Sequence, residues 1–259
     1  MSLKVTMLGS GGSAGVPFIG CDCKVCTSTN PKNKRTRVAI TIEVGGLTLL
    51  VDTPPDLRAQ ALRQNLRKVD AVLYTHAHAD HAHGIDELRS FNYLNGGALP
   101  IYGDPHTIEA LKTRFSYVFQ QAPQNHWYRP TLLPHVLQDM PVQRFTVGGV
   151  DITAFKQQHG KSTTLGYRIG NFAYSTDTDH LSDEAFEALA GVEVWIVDCL
   201  RYTPAPTHAN LEKTLSWIER LKPKQAILTH MSHEFDYDVL SHELPYAVAP
   251  GYDGLEIKL

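Results

Sequence analysis

A chain of 259 residues with 42% hydrophobic residues, 20% charged residues and a formal net charge of −3 is large enough to bury the core of a globular enzyme domain. This charge balance lacks the global basic field of a nucleic-acid binder, so a small or locally held substrate is expected. The sequence holds no run of about 18 apolar residues that would form a membrane span, and Met1-Ser2-Leu3-Lys4 leads into a strand rather than a signal-peptide core; a cytoplasmic location is expected.

Residues 3–8 read as a strand, followed by the flexible loop Gly9-Ser10-Gly11-Gly12-Ser13-Ala14-Gly15. The loop lacks the Gly-Lys-Ser/Thr ending of a P-loop, and cysteines follow it instead of a helix. A tight turn that brings backbone close to an active-site floor is therefore expected over a phosphate cradle. Cys21, Cys23 and Cys26 lie too close together for an ordinary disulfide framework and have the spacing of thiolate ligands. The basic run Lys32, Lys34, Arg35 and Arg37 reads as a solvated loop, with contact to a substrate phosphate as the alternative. Strands over 37–44 and 47–51 flank the hairpin signal Gly45-Gly46, and a helix is expected over 56–67.

The apolar run 69–75 reads as a buried strand and ends in His76-Ala77-His78-Ala79-Asp80-His81. A strand that stops in a sharp loop can aim alternate side chains into one concavity. His76 and His78 could then reach one metal while Asp80 and His81 reach a second.

Further helices are expected over 86–93, 106–117, 183–190 and 210–221, and further strands over 99–102, 143–147, 150–155, 164–169, 172–175, 192–197 and 225–229. More candidate ligands follow these strands: His159 in a polar loop after 150–155, Asp177 after 172–175 and His230 after 225–229. Cys199 reads as a small apolar packing residue. The segment 115–136 is the least regular, rich in proline and in aromatics such as Phe115, Tyr117, Phe119, Trp127 and Tyr128; it is either a lid or dimer surface beside the cleft or the cover of a satellite core. Strand meanders with helices in both halves predict an α/β sandwich, with residues 1–259 as a single domain.

Asp52 after the strand 47–51, the His-x-His-x-Asp-His signature, and the isolated His159, Asp177 and His230 together resemble the metallo-β-lactamase superfamily over almost the whole chain. Within it the chain is most similar to PhnP-type phosphodiesterases, which share the cysteine knuckle near Cys21, an Asp-Cys pair like Asp198-Cys199 and a Thr-His-x-Ser-His run like 229–233. The resemblance implies a four-layer αββα sandwich with two divalent ions, Zn or Mn, in the active site. His76, His78 and His159 would hold one ion, Asp80, His81 and His230 the other, with Asp177 bridging them. Asp52 would orient a liganding imidazole through its other N–H, or serve as a strand-end turn carboxylate. Cys21, Cys23, Cys26 and His233 would hold a structural zinc. Asp80 and His208 are the catalytic candidates, with His208, in the loop 203–210, matching a non-liganding histidine suited to protonate a departing alkoxide.

The activity so implied is hydrolysis of a small cyclic phosphate or nucleotide-like diester, phosphoribosyl cyclic phosphate among them. A tRNA 3'-processing type of endoribonuclease, or a thioesterase or lactonase of the same fold, are the alternatives. A homodimer is expected by resemblance.

Overall fold

Alternating and continuous apolar runs pair into two seven-stranded mixed sheets in the computed structural model, which describes residues 2–120 and 129–259. In chain order the first strands are β1 (Leu3–Gly9), β2 (Ala39–Val44), β3 (Leu47–Val51), β4 (Ala71–Leu73), β5 (Leu99–Gly103) and β6 (Leu132–Val136). They are followed by β7 (Val142–Val147), β8 (Val150–His159), β9 (Ser162–Ile169), β10 (Phe172–Ser175), β11 (Val194–Asp198), β12 (Gln225–Thr229), β13 (Val248–Pro250) and β14 (Glu256–Lys258). The α-helices are α1 (Leu57–Arg63), α2 (Ala79–Ala82), α3 (Arg89–Asn95), α4 (Pro105–Arg114), α5 (Asp183–Leu189), α6 (Leu211–Leu221) and α7 (Tyr237–Glu243). Two compact units result, one of residues 1–8, 39–139 and 256–259, the other of 9–38 and 140–255.

The first unit carries the sheet β14-β1-β2-β3-β4-β5-β6. Gly45 and Gly46, at φ 58° and 80°, close the β2–β3 hairpin in the left-handed conformations that such a tight turn requires. From β3 to β6 the pairing is parallel, and the three residues of β4 are all buried, so its sequence shows no alternation. Leu57 of α1, Phe91 of α3, and Ile108 and Leu111 of α4 bury against Leu50, Val72, Tyr74 and Ile101.

The second unit carries the sheet β13-β12-β11-β10-β9-β8-β7, antiparallel from β7 to β10 and parallel from β10 to β13. Leu211, Leu215, Ile218 and Leu221 of α6 recur at helical spacing and, with Trp217, cover a core that includes Phe155, Trp195 and Leu228. The buried indole of Trp195 is satisfied by donating to Ser175 Oγ at 3.0 Å. Ser182, Asn210 and Asp236 cap α5, α6 and α7 by accepting from the first-turn amides.

Several expected boundaries shift for local reasons. The helix expected over 56–67 stops at Arg63, because Asn65 turns left-handed (φ 49°) and Leu66 N–H reaches back to Ala61 O at 2.8 Å, a Schellman closure. The helix expected over 86–93 becomes a 3₁₀ turn at Ile85–Leu88 followed by α3, which ends at left-handed Gly96. The helix expected over 106–117 breaks at Phe115 into α4 and a second 3₁₀ turn, Ser116–Phe119. Strand β6 falls inside the irregular 115–136 segment, where Pro134 sits on the edge strand of its sheet, a position that tolerates proline. Phe115, Val118 and Phe119 pack on the first unit's core, which favours the covering role for that part of the segment; residues 121–128, with Pro123, Trp127 and Tyr128, lie outside the described residues. Among the described residues no helix is long and apolar enough to cross a membrane.

Candidate active site

In both sheets the parallel strands end at the residues of interest: Asp52 follows β3, His76 lies three residues beyond β4, Asp177 follows β10, Asp198 closes β11 and His230 follows β12. Carboxyl ends of parallel strands are where open α/β sheets hold ligands, since the chain must leave the sheet there through a loop. Asp52, Asp177 and His230 leave it in the left-handed region, at φ 64°, 51° and 58°. For residues with a Cβ that conformation costs about 1–2 kcal/mol, a strain that concentrates at functional sites.

The first unit assembles His76, His78, Asp80 and His81. His78 caps the single turn of α2, which carries Asp80 and His81, so three of the four sit on a turn rather than in a loop. The His76 ring lies 4.4 Å from that of His78 and 4.2 Å from that of His81, and His81 Nε2 is 3.4 Å from Asp80 Oδ2. Arg114 donates to the Ala77 carbonyl and braces the loop. Behind the histidines Asp52, fully buried, accepts from Thr75 N–H at 2.8 Å, from Thr75 Oγ1 at 2.7 Å and from His81 Nδ1 at 2.7 Å. With its hydroxyl proton given to Asp52, Thr75 Oγ1 accepts from His76 Nδ1 at 3.0 Å. Burial pushes the Asp52 carboxyl above its ordinary range, against the pull of His81 and Thr75.

The second unit assembles Asp177, Asp198, His208 and His230, whose ligand atoms lie within 4.8 Å of one another. His230 Nε2 is 3.4 Å from Asp177 Oδ1, and both His159 Nε2 and His208 Nε2 are 3.9 Å from Asp177 Oδ2. His159 is the last residue of β8, paired with Ser162 across the β8–β9 turn, and not a member of a polar loop as its flanking glutamines suggest. Its Nδ1 donates to Thr207 O at 2.7 Å. Asp198, fully buried, stands 3.3 Å from His208 Nδ1 and 3.8 Å from His230 Nδ1, and accepts from Ala209 N–H at 3.1 Å. The rings of His208 and His230 stack at 4.5 Å.

Each donor set thus presents carboxylate oxygens and imidazoles, and the Nδ1 atoms of His76, His81, His159 and His208 face an oxygen acceptor, which leaves Nε2 as the lone-pair atom of each ring when neutral. That chemistry fits a divalent cation. Asp198, Thr75 and Thr207 complete this pattern and carry no role in the sequence reading. The available signal was the position of Asp198 at the end of a buried strand, the same setting as Asp52.

The glycine-rich loop meets the expectation of a close approach. Gly12 N–H donates to Met231 O at 3.3 Å, Met231 N–H donates to Ser10 O at 2.9 Å, and a Cβ on Gly12 would lie 3.3 Å from His230 O. The loop therefore clamps the strained backbone at His230 from beside it.

Cys21, Cys23, Cys26 and His233 meet in the second unit with their donor atoms within 4.8 Å of one another; His233 Nδ1 is 3.3 Å from Cys21 Sγ and 3.5 Å from Cys23 Sγ. Three thiols and one imidazole fit a closed tetrahedral zinc site. Amide donation from Cys26, together with His233, lowers the Cys23 thiol to about 6, toward the thiolate a metal needs. The basic run that follows is not uniformly solvated. Arg35 is buried and donates to Ser232 O at 3.1 Å, Phe235 O at 2.8 Å and Asn33 Oδ1 at 3.1 Å, pinning the His233 loop to the cysteine segment; burial lowers its guanidinium to about 10.

A family model described as a beta-lactamase superfamily domain matches residues 48–231. The crystal structure of a new diphosphatase from the PhnP family matches with a TM-score of 0.92 and 36% identity, covering 100% of this chain and 98% of that one. The protein named octanoyltransferase in Porphyromonas gingivalis (strain ATCC BAA-308 / W83) is 34% identical over 257 residues, 98% of this chain and 51% of that protein. A ribonuclease Z of Bradyrhizobium sp. (strain ORS 278) is 25% identical over 177 residues, 67% of this chain and 54% of that protein. The chain spans about half the length of these two curated relatives. Two mixed sheets flanked by helices, together with these matches, fit the four-layer αββα sandwich expected from the sequence.

Proposed function

Since the chain belongs to the metallo-β-lactamase superfamily of hydrolases and is similar to its PhnP members, we propose that it is a dinuclear metal-dependent phosphodiesterase acting on a small cyclic phosphate or nucleotide-like diester, with phosphoribosyl 1,2-cyclic phosphate as the specific candidate. The observation that carries the reading is the pair of histidine–carboxylate donor sets at strand ends, each backed by a buried carboxylate, Asp52 or Asp198. His76, His78 and His159 would hold one ion and Asp80, His81 and His230 the other, with Asp177 shared, the ions being zinc or manganese. When bound, such a pair supplies hydroxide at neutral pH by lowering the pKa of water to about 7, and neutralises the anionic phosphate oxygens.

The chain's own residues do the rest. Asp52 and Thr75 fix the tautomers of His81 and His76, so that neither ring must reorganise when it takes up a cation. Asp198 holds the Nδ1 side of His208, leaving Nε2 to carry the proton delivered to the departing alkoxide. The Cys21, Cys23, Cys26 and His233 set would bind a structural zinc, which anchors the segment three residues beyond His230. Thiolate ligands favour a reducing compartment, hence the cytoplasm.

Ribonuclease Z-like cleavage of precursor tRNA is a second reading, supported by the 25% identity to a protein of that name. The test is hydrolysis of a panel of 2',3'-cyclic nucleotides, phosphoribosyl cyclic phosphate, a thioester and precursor tRNA by the metal-loaded protein. Turnover of the small diesters supports the first reading. Inactivity on every diester with the metals loaded refutes it.

A further inference from the structure

Beside His230 the second unit contains a cavity of about 250 Å³ that the reading above does not use. Its lining includes the Gly12–Gly15 backbone, Phe18, Leu200, Arg201, Ser232 and Glu234. A Cβ on Gly12 would lie 3.4 Å from His230 Cε1 and 3.3 Å from Leu200 Cδ1, so this wall of the cavity abuts the ring of a candidate metal ligand. A substrate whose phosphorus sits at His230 and Asp177 has this wall within reach of one of its arms.

The walls define the chemistry of that arm. Phe18 is 46% exposed, yet it is not loose. Its ring stacks on His233 with centroids 5.6 Å apart at 23°, and its backbone N–H donates to Cys26 Sγ at 3.2 Å. The cysteine knuckle therefore holds an aromatic face toward open space at a fixed place. Arg201 is braced as well, donating to Thr203 O at 3.2 Å and to Pro204 O at 2.8 Å. A held ring and a held guanidinium in one cavity suit a flat, polar-edged heterocycle, because both groups stack on aromatic faces. Ser232 and Glu234 add acceptors for ring-edge N–H groups. A cavity of this size takes one planar ring system; a folded oligonucleotide would need more room.

The geometry points to a nucleobase-binding subsite in which Phe18, aimed by the cysteine knuckle, stacks on the base of a nucleotide-like substrate, with Arg201 lining the same cavity. This deepens the phosphodiesterase reading and rests on it for the position of the phosphate.

The test is calorimetric binding of adenosine 5'-monophosphate and of ribose 5-phosphate to the purified, metal-containing protein. Stacking on one aromatic side chain should give the base-bearing ligand at least about tenfold higher affinity in the wild type. That preference should fall toward unity in Phe18→Ala and survive in Phe18→Tyr. Equal affinity for both ligands in the wild type, failure to bind either, or a preference that persists in Phe18→Ala would overturn the subsite. A wild type that prefers the adenosine ligand but hydrolyses no diester would instead overturn the phosphodiesterase reading and leave the subsite standing.

Discussion

Replacing Asp52 by Asn tests whether a carboxylate behind the histidines sets their metal-binding form. The exchange keeps size and shape, and asparagine tolerates the left-handed φ of 64° at this position, so backbone strain is not altered. What changes is the acceptor count. Asp52 takes three hydrogen bonds, one on Oδ1 from Thr75 N–H and two on Oδ2 from Thr75 Oγ1 and His81 Nδ1. An amide can place its oxygen at only one of these positions. With the oxygen toward Thr75 N–H, the NH₂ faces His81 Nδ1 and drives that ring to the tautomer protonated on Nε2, the atom the metal needs. With the oxygen toward His81, the NH₂ opposes a backbone N–H. Either arrangement forfeits a hydrogen bond to a charged group, about 1.5–3 kcal/mol, and loss of such an orienting carboxylate typically lowers metal affinity or activity by about 10- to 100-fold. Asp52→Asn should therefore bind zinc at the catalytic pair about 10- to 100-fold more weakly, measured by competition with a chromogenic chelator, while far-UV circular dichroism stays that of the wild type. Wild-type affinity in a folded Asp52→Asn protein would refute the orienting role.

Asp198→Asn should act through His208 and His230 in the same way, lowering turnover together with metal affinity, and a variant with both at wild-type level would show that the contacts at 3.3 and 3.8 Å do no orienting. His208→Ala should cut turnover on a cyclic phosphate by about 10²- to 10⁴-fold with metal content unchanged; loss of metal would make His208 a ligand instead. Arg35→Met removes the donor to three acceptors and should cost about 3 kcal/mol or more in urea unfolding, with weaker zinc retention at the cysteine site; an unchanged midpoint would contradict the pinning role. Cys21→Ser should lower bound zinc by about one equivalent per chain, and full stoichiometry would refute the structural site.

The local part of the site was legible because its four candidate ligands fall within six residues after an apolar strand, and the spacing alone aims them. His159, Asp177 and His230 are single residues with ordinary neighbours; only the resemblance of their order to a family tied them to the motif. Asp198 enters the sequence analysis only as half of the Asp198-Cys199 pair, without a role, although it ends the run Val194-Trp195-Ile196-Val197 much as Asp52 follows 47–51, a parallel that points to one. Arg35 was misread for a different reason. Its acceptors on Ser232 and Phe235 lie about 200 residues away, and nothing in a run of lysines and arginines tells which one the fold will bury. Strand β6 was hidden because Pro134 suppresses the usual strand signal, which an edge position makes tolerable.

The central claim is that two divalent ions held by these histidines and aspartates drive diester hydrolysis, and the direct measurement is elemental analysis paired with turnover of a 2',3'-cyclic nucleotide as metal-free protein is titrated with manganese or zinc. Activity should rise with the loading of about two equivalents per chain beyond the one zinc proposed for the cysteine site. Activity complete without those ions, or absent once they are bound, would contradict the account.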